Sequence, residues 1–295
     1  MLKIEGSIVA LVTPFNEDGS VNLTKLGELV EFHIKNHTDA LCILGTTGEA
    51  STMEFSEEEE VVRYVVEKAS GRIKIIVGSG SNCTATAVEY TKKYGNMGAD
   101  ALLVITPYYN KTNESGMIKH FTTIADASPK PIIMYNVPGR TGCSISVHAV
   151  EVLSKHPNII GIKEASGDLT YAGKIARYLN DDFRMYSGND DIVVPLLSLG
   201  ASGVISVWAN IMPQTVHDMV MDYLNGDVKK ARDTQLKYLD LIHNLFLETN
   251  PIPVKAGMNY LGFGVGPLRL PLDEMSASKF EILKATLDEI KGRVQ

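Results

Sequence analysis

Cysteine, tryptophan and basic residues are all scarce in this chain of 295 residues. It has three cysteines and one tryptophan, and its 28 lysines and arginines are outnumbered by 35 aspartates and glutamates. Cys42, Cys83 and Cys143 are widely spaced, which is typical of reduced thiols and does not suit a disulfide framework or a zinc cage. The formal net charge of −7 argues against nucleic acid or an anionic membrane as a partner, because both attract basic patches.

We expect neither a leader peptide nor a membrane span from the sequence pattern. The short apolar stretch within residues 1–15 contains Glu5 and has no cleavage-site pattern. Residues 192–216 carry no charge, but proline, glycine and asparagine interrupt them, so we expect a buried helix, turn and strand there. Together with the reduced thiols, these features predict a cytoplasmic protein.

No pattern in the sequence indicates a metal or an organic cofactor. His33 and His37 are four residues apart but lack a metalloprotease signature, so a solvated helix face is the preferred interpretation. The glycine-rich segments 78–83 and 262–266 lack the spacing of a dinucleotide fingerprint. We therefore expect neither a metal site nor a bound cofactor.

What the sequence does contain is an alternation of apolar runs and helix-like stretches. Eight runs rich in branched apolar residues begin at Ser7, Ala40, Lys74, Ala101, Pro131, Ile159, Phe183 and Gly203. Runs that are apolar on both faces are typical of a covered parallel sheet, and eight of them alternating with helices predict an α/β fold, the (β/α)8 TIM barrel. In one helix-like stretch, Ser56 and Glu59 are expected to form a capping box.

The last part of the chain has a different pattern. We expect residues 1–212 to form the barrel with its catalytic site. Residues 213–295 are helical in pattern and have no strand of their own, so we expect a barrel-closing and C-terminal helical extension within one structural unit.

The sixth run, IIGIKEA, carries a lysine where a buried strand is expected. Lys163 shares a face with Gly161 and Ala165, whereas Glu164 points to the opposite face. A lysine that points inward between two small residues loses its hydration, which favours the neutral, nucleophilic amine. The alternative, a side chain that extends its ammonium into solvent, stays open from the strand pattern alone.

Two neighbouring strand ends supply further candidates. Tyr135 in the fifth run can approach Lys163, since adjacent strands lie about 4.8 Å apart, and a phenol there can transfer protons. Strand two runs into LGTTGEAS, where the hydroxyl and N–H groups of Thr46 and Thr47 suit a small carboxylate. A core tyrosine and a tight glycine turn are the structural alternatives.

Several motifs resemble a known family along essentially the whole chain. They are GTTGE at 45–49, the segment 104–110, YNVPGRTG at 135–142, GIKEASG at 161–167 and NPIPVK at 250–255. They resemble the dihydrodipicolinate synthase family. The wider group contains N-acetylneuraminate lyase and 2-keto-3-deoxy sugar acid aldolases, which are pyruvate-using class I aldolases on this barrel.

The resemblance implies a Schiff-base lyase that condenses pyruvate with aspartate 4-semialdehyde in lysine and diaminopimelate biosynthesis, without a cofactor. By resemblance, Lys163 forms the Schiff base with pyruvate, and Tyr135 relays protons through Thr47 to Tyr109. In the family that last tyrosine reaches into a neighbouring subunit, which implies a homodimer at least and usually a homotetramer.

The resemblance also implies the substrate-binding residues. Thr46 and Thr47 resemble the pair that holds the pyruvate carboxylate, and Arg140 resembles the residue that guides the carboxylate of aspartate semialdehyde. Gly188 and Ile205 match backbone positions that line the pocket. A guanidinium suits a short carboxylated aldehyde better than a polyhydroxylated sugar, although Arg140 in a surface turn is the alternative.

The sequence also bears on feedback inhibition by lysine and leaves two alternative functions. Members inhibited by lysine typically have histidines after the threonine motif and a glutamate after the next strand. Phe55, Glu58 and Thr86 occupy the matching positions and Tyr108 is retained, so we expect weak or no lysine feedback. Two alternative functions stay open. One is the same Schiff-base chemistry on N-acetylneuraminate or a 2-keto-3-deoxy sugar acid, and the other is a barrel that binds a ligand without catalysis.

Overall fold

The computed structural model describes residues 2–293, and their backbone contains a closed barrel of eight parallel strands. The strands are β1 (Gly6–Ala10), β2 (Ala40–Ile43), β3 (Lys74–Gly78), β4 (Ala101–Ile105), β5 (Ile132–Asn136), β6 (Ile159–Glu164), β7 (Arg184–Ser187) and β8 (Gly203–Ser206). Each strand pairs with the next in chain order, and β8 pairs with β1. Each apolar run thus supplies one strand, and the predicted (β/α)8 barrel is confirmed.

Helices follow the strands and continue beyond the barrel. They are α1 (Leu23–Lys35), α2 (Phe55–Ala69), α3 (Thr84–Asn96), α4 (Glu114–Ala127), α5 (Pro138–Thr141), α6 (Val147–Leu153), α7 (Leu169–Ala176), α8 (Val193–Ser198), α9 (Pro213–Leu224), α10 (Val228–Lys237), α11 (Leu239–Asn244), α12 (Ile252–Tyr260) and α13 (Ala277–Ile290). Helix α9 packs against β1 and completes the outer ring, while α12 and α13 pack against each other.

The uncharged segment 192–216 forms α8, a turn and β8, as the interrupted pattern predicts. In the described part of the chain, no helix combines the length and the apolar character needed to cross a membrane.

Alternate residues along each strand enter two separate apolar cores. Ile8 and Ile133 face the barrel interior, whereas their strand neighbours Val9 and Ile132 pack beneath the helices. At the amino ends of the strands, Ile4 is buried in the same interior, and its carbonyl oxygen accepts a hydrogen bond of 2.9 Å from the Tyr186 hydroxyl. Packed side chains therefore close this end, and the functional groups lie at the carboxyl ends.

The predicted cap of α2 is wrong by two residues. Glu54, not Ser56, is the N-cap, and it forms a reciprocal box with Glu57 in place of Glu59. The Glu54 N–H donates to the Glu57 carboxylate at 2.9 Å. Phe55 packs against the core and so becomes the first helical residue, which leaves Ser56 inside the helix.

The interpretation of His33 as part of a solvated helix face is also wrong. His33 continues the apolar stripe of α1 and is fully buried, with Nδ1 2.9 Å from the Thr38 hydroxyl oxygen. Burial lowers the pKa of His33 to about 3, because the charged imidazole would lose its hydration. His37 lies beyond the helix end, in the left-handed region at a φ of 59°, so the two rings do not share a helix face.

Candidate active site

Lys163 lies near the carboxyl end of β6 and points into the barrel, not into solvent. Lys163 is only 6% exposed. On the strand it lies between its partners Tyr135 on β5 and Tyr186 on β7. The Lys163 Nζ lies 4.3 Å from the centre of the Tyr135 ring. No residue within 2–293 forms a hydrogen bond or ion pair with this Nζ. The amine is therefore held by packing and by one aromatic face, and its bonding capacity is left for a ligand.

Glu164, the next residue, cannot neutralise Lys163 by direct pairing. Its carboxylate accepts hydrogen bonds from the Asn136 side-chain amide at 2.7 Å and from the Ser166 N–H at 2.6 Å. The Asn136 side-chain oxygen accepts from the Ile145 N–H at 3.0 Å. Burial raises the pKa of the Glu164 carboxyl group above its ordinary value. This network fixes the ends of β5 and β6 relative to each other, and with them the two strands that carry the tyrosine and the lysine.

A cavity of about 460 Å³ opens at the carboxyl ends of the strands. Three of the predicted site residues, Thr46, Tyr135 and Arg140, line it. Its volume falls in the range of small-molecule sites, about 300–1,000 Å³. The lining also includes Glu58 and Tyr108, two of the four positions predicted to bear on lysine feedback, but not Phe55 or Thr86.

The turn after β2 holds the two threonines in a fixed arrangement. Thr46 lines the cavity, and its carbonyl oxygen accepts from the Glu49 N–H at 3.1 Å. Thr47 is 3% exposed. The Thr13 hydroxyl donates to the Gly48 carbonyl oxygen at 2.7 Å, which ties the turn to the segment after β1. Glu49 itself is in the left-handed region at a φ of 55°, a conformation that costs energy in a residue with a Cβ.

Asn250 joins this turn to Arg140, and sequence reasoning missed it as a site residue. Its side-chain amide donates to the Thr47 hydroxyl oxygen at 2.9 Å, and its carbonyl oxygen accepts from the Arg140 guanidinium at 2.9 Å. Its side-chain oxygen is buried and has no partner among the described residues. The motif NPIPVK contains Asn250, but neither its spacing nor its composition reveals that the chain returns here to the barrel mouth.

The remaining predicted site residues lie in three different settings. Ile205 faces the barrel interior. The Gly188 N–H donates to the Glu164 carbonyl oxygen at 2.7 Å, and a Cβ at Gly188 would lie 2.5 Å from that of Ala165, so a larger residue would not fit. Tyr109 is 91% exposed, and within the single described chain no hydrogen bond links it to Thr47.

Residues 2–293 contain no group of three or more histidine, cysteine, aspartate or glutamate side chains arranged to hold a metal ion. The cavity lining supplies hydroxyl groups, the phenol of Tyr135 and the guanidinium of Arg140, and the amine of Lys163 lies against the ring of that phenol. This set is suited to covalent catalysis on a carbonyl compound that carries a carboxylate.

Comparison with known proteins agrees with this interpretation. Residues 3–290 match the model of the dihydrodipicolinate synthetase family. The chain belongs to this family. A 4-hydroxy-tetrahydrodipicolinate synthase of Thermoanaerobacter pseudethanolicus is 56% identical over 286 residues, 97% of this chain and 96% of the relative. One of Clostridium perfringens is 50% identical over 283 residues, 96% of this chain and 97% of the relative.

Solved structures of the dihydrodipicolinate synthases have the same fold. The Aquifex aeolicus protein superposes with a TM-score of 0.95 at 42% identity, covering 99% of both chains. The protein of Cyanidioschyzon merolae, solved with lysine bound, gives a TM-score of 0.94 at 39% identity and covers 98% of both chains.

Proposed function

We propose that this protein is a 4-hydroxy-tetrahydrodipicolinate synthase, which condenses pyruvate with aspartate 4-semialdehyde in lysine and diaminopimelate biosynthesis. Curated relatives of that name, 50% and 56% identical over nearly the full length, support this activity. The observation that carries the proposal is Lys163, which is buried in the barrel without a hydrogen-bond partner among the described residues and lies against the Tyr135 ring. A lysine in this setting suits imine formation better than a structural role.

In the proposed reaction the Lys163 amine attacks the keto carbon of pyruvate, and the resulting carbinolamine loses water to give a protonated imine. The imine withdraws electrons from the pyruvate methyl group, which releases a proton and becomes the enamine carbon. This carbon bonds to the aldehyde carbon of aspartate semialdehyde, the aldehyde oxygen takes up a proton and becomes the hydroxyl group, and the protonated imine is restored. The amine of the second substrate then attacks the imine carbon, closes the ring and releases Lys163.

In this reaction, proton transfer is assigned to Tyr135, followed by Thr47 and Tyr109. The carbinolamine needs a proton on its departing hydroxyl group, and a phenol beside the lysine is placed to supply it. The Asn250 side-chain amide donates to the Thr47 oxygen, so the Thr47 hydroxyl hydrogen is free to point towards another acceptor.

Substrate binding is assigned to the two ends of the cavity mouth. The proposal assigns the pyruvate carboxylate to the hydroxyl and backbone N–H groups of Thr46 and Thr47, and assigns Gly188 and Ile205 to the floor beside the bound pyruvate. Arg140 binds the carboxylate of aspartate semialdehyde. One of its nitrogens donates to the Asn250 carbonyl oxygen, which orients the guanidinium and leaves other N–H groups for the substrate.

We further propose a homodimer at least, and a homotetramer as the complete assembly. The 91% exposure of Tyr109, next to the cavity-lining Tyr108, supports a tyrosine that completes a partner's site. Mixing inactive Tyr109→Phe and Lys163→Ala chains tests this, because in one hybrid site both defects would be combined and the other site would be intact. Recovered turnover is expected, whereas a mixture as inactive as its components contradicts the shared site.

The reaction as proposed needs no metal or organic cofactor, because the covalent imine is itself the electron sink. The unpaired thiols of Cys42, Cys83 and Cys143 support a cytoplasmic location.

Borohydride trapping tests the proposed function directly. Incubation with pyruvate and borohydride is expected to add the mass of reduced pyruvate to the peptide that contains Lys163. Lys163→Ala is the matched control, because it keeps Lys255, a second buried lysine that is paired with Glu49. No adduct in the wild-type protein, or an equal adduct in the variant, would refute the proposal.

A comparison of substrates then separates the candidate functions. Turnover should be fastest with pyruvate and aspartate semialdehyde, and N-acetylneuraminate and 2-keto-3-deoxygluconate should be cleaved weakly or not at all. Preferred cleavage of either sugar acid would replace the proposed substrate, and an adduct without any turnover would favour a binding protein.

A further inference from the structure

A second buried lysine lies outside the chemistry described above. Lys255 in α12 is 1% exposed, and its Nζ donates to a Glu49 carboxylate oxygen at 2.8 Å. The same Nζ donates to the Thr13 carbonyl oxygen at 3.2 Å and to the Pro267 carbonyl oxygen at 2.5 Å. The side chain of Glu49 is fully buried as well. The two residues form an ion pair removed from solvent, in which all three N–H bonds of the ammonium are used.

The other oxygen of Glu49 is also occupied. It accepts a hydrogen bond of 2.9 Å from the backbone N–H of Arg269. The Phe15 ring contacts both cations, with the Lys255 Nζ 4.4 Å and the Arg269 guanidinium carbon 4.3 Å from its centre. Glu49 is thereby fixed by two segments of the C-terminal extension, α12 and the chain that follows it.

Glu49 is the last residue of the motif GTTGE, which carries both threonines. Its left-handed backbone and its N–H bond to the Thr46 carbonyl oxygen determine how the turn ends. Thr13 connects the pair to the turn a second time, because its hydroxyl binds Gly48 while its carbonyl oxygen accepts from Lys255. A strained turn of this kind persists only where surrounding contacts hold it.

Stability alone does not account for the pair. A buried ion pair gains little over apolar residues of similar volume, because the cost of removing both charges from water offsets their attraction. Its best-supported use is to select one geometry over others. Here the geometry that it selects is that of a turn in which Thr46 lines the cavity and Thr47 is held beneath it by Asn250.

We infer that Lys255 and Glu49 are a positioning pair, which holds Thr46 and Thr47 in the geometry that binds the carboxylate of the keto acid. The inference rests on the proposed function. By this route the C-terminal extension controls the affinity for pyruvate and the Thr47 step of the proposed proton relay, whereas binding of the aldehyde at Arg140 does not depend on the pair.

The test is the double variant Glu49→Gln, Lys255→Met. Either single change leaves one buried charge unpaired and is expected to destabilise the fold, whereas the double variant removes both charges and keeps an acceptor for the Arg269 N–H. The matched control is Asp222→Asn, Lys230→Met, which removes an exposed ion pair of 3.0 Å from the C-terminal part of the chain.

We expect the double variant to fold with a circular dichroism spectrum and melting temperature close to those of the wild type. Its KM for pyruvate should rise about tenfold, as expected when one or two hydrogen bonds to the carboxylate are misaligned. The kcat should fall as well, because Thr47 also belongs to the proposed proton relay. The KM for aspartate semialdehyde and borohydride trapping at saturating pyruvate should match those of the wild type and of the control.

An unchanged KM for pyruvate in the folded double variant would overturn the inference. So would failure of the double variant to fold, or an equal loss in kcat and both KM values, because each would indicate a purely structural pair. If the wild-type protein forms no pyruvate adduct, the proposed function itself fails and the inference fails with it. A wild-type adduct together with an unchanged KM refutes the inference alone.

Discussion

Glu58 should make the protein less stable as the pH rises. It lies on α2 at the outer end of the cavity, where it is 8% exposed and accepts a hydrogen bond from the Tyr94 hydroxyl. Burial raises the pKa of Glu58 to about 7, because the carboxylate loses hydration that the Tyr94 hydrogen bond restores only in part. In the unfolded chain the same carboxyl group titrates near its ordinary value of 4.5.

The sign and size of the effect follow from these two pKa values. Between them the folded protein binds a proton that the unfolded chain has lost, so the free energy of unfolding falls as the pH rises. At about 1.36 kcal/mol for each unit between the pKa values, the loss amounts to roughly 3 kcal/mol and is complete above about pH 8. Below the pKa of the unfolded chain the penalty disappears, because Glu58 is neutral in both states.

Glu58→Gln removes the titrating group and keeps an oxygen for the Tyr94 hydroxyl. We expect the variant and the wild type to have similar stability near pH 4.5, and the variant to be more stable by roughly 3 kcal/mol at pH 8 and above. Urea unfolding followed by circular dichroism across this range measures the difference. Glu60→Gln, an exposed change on the same helix, is the control. Parallel stability curves for Glu58→Gln and the wild type would refute the reasoning.

Three further predictions concern the reaction and its regulation. Tyr135→Phe should lower kcat by about a hundredfold or more, as for loss of a proton donor, and leave the fold intact; near-normal turnover in a coupled assay would exclude the relay. Arg140→Ala should raise the KM for aspartate semialdehyde by roughly 10- to 100-fold with little change for pyruvate, and equal effects on both substrates would contradict the assigned carboxylate site. Since Phe55, Glu58 and Thr86 replace the residues typical of lysine-inhibited members, a titration should detect weak or no inhibition by lysine, and strong inhibition at sub-millimolar lysine would show that this prediction is wrong.

The fold could be predicted because its signals are local. Each strand is buried on both faces and therefore reads as a short apolar run, and eight such runs alternating with helices favour a closed barrel of parallel strands over an open doubly wound sheet. Strand alternation and the small neighbours Gly161 and Ala165 favour an inward Lys163, but the strand pattern leaves extension into solvent open, and the buried side chain in the structure decides between the two. The register that pairs Lys163 with Tyr135 is then a consequence of neighbouring strands in a closed sheet.

What the sequence could not supply are contacts between distant segments. Asn250 is more than two hundred residues from Thr47, and no periodicity relates a helical extension to a turn after β2. The position of His33 depends on which face of α1 meets the barrel, and a polar residue within an apolar stripe leaves this open. The start of α2 depends on whether Phe55 packs inward, which is a tertiary contact and not a property of the capping residues.

The closed amino end of the barrel, where Tyr186 bonds to Ile4, bears on the order in which substrates bind. With the far end of the barrel filled by packed side chains, substrates and products share one entrance, and the lysine lies deeper than the guanidinium. If Lys163 forms the imine as proposed, the keto acid enters first and releases its water before the aldehyde binds. Initial rates measured over a grid of both substrates should give parallel double-reciprocal lines, the pattern of a reaction in which a product leaves between two additions.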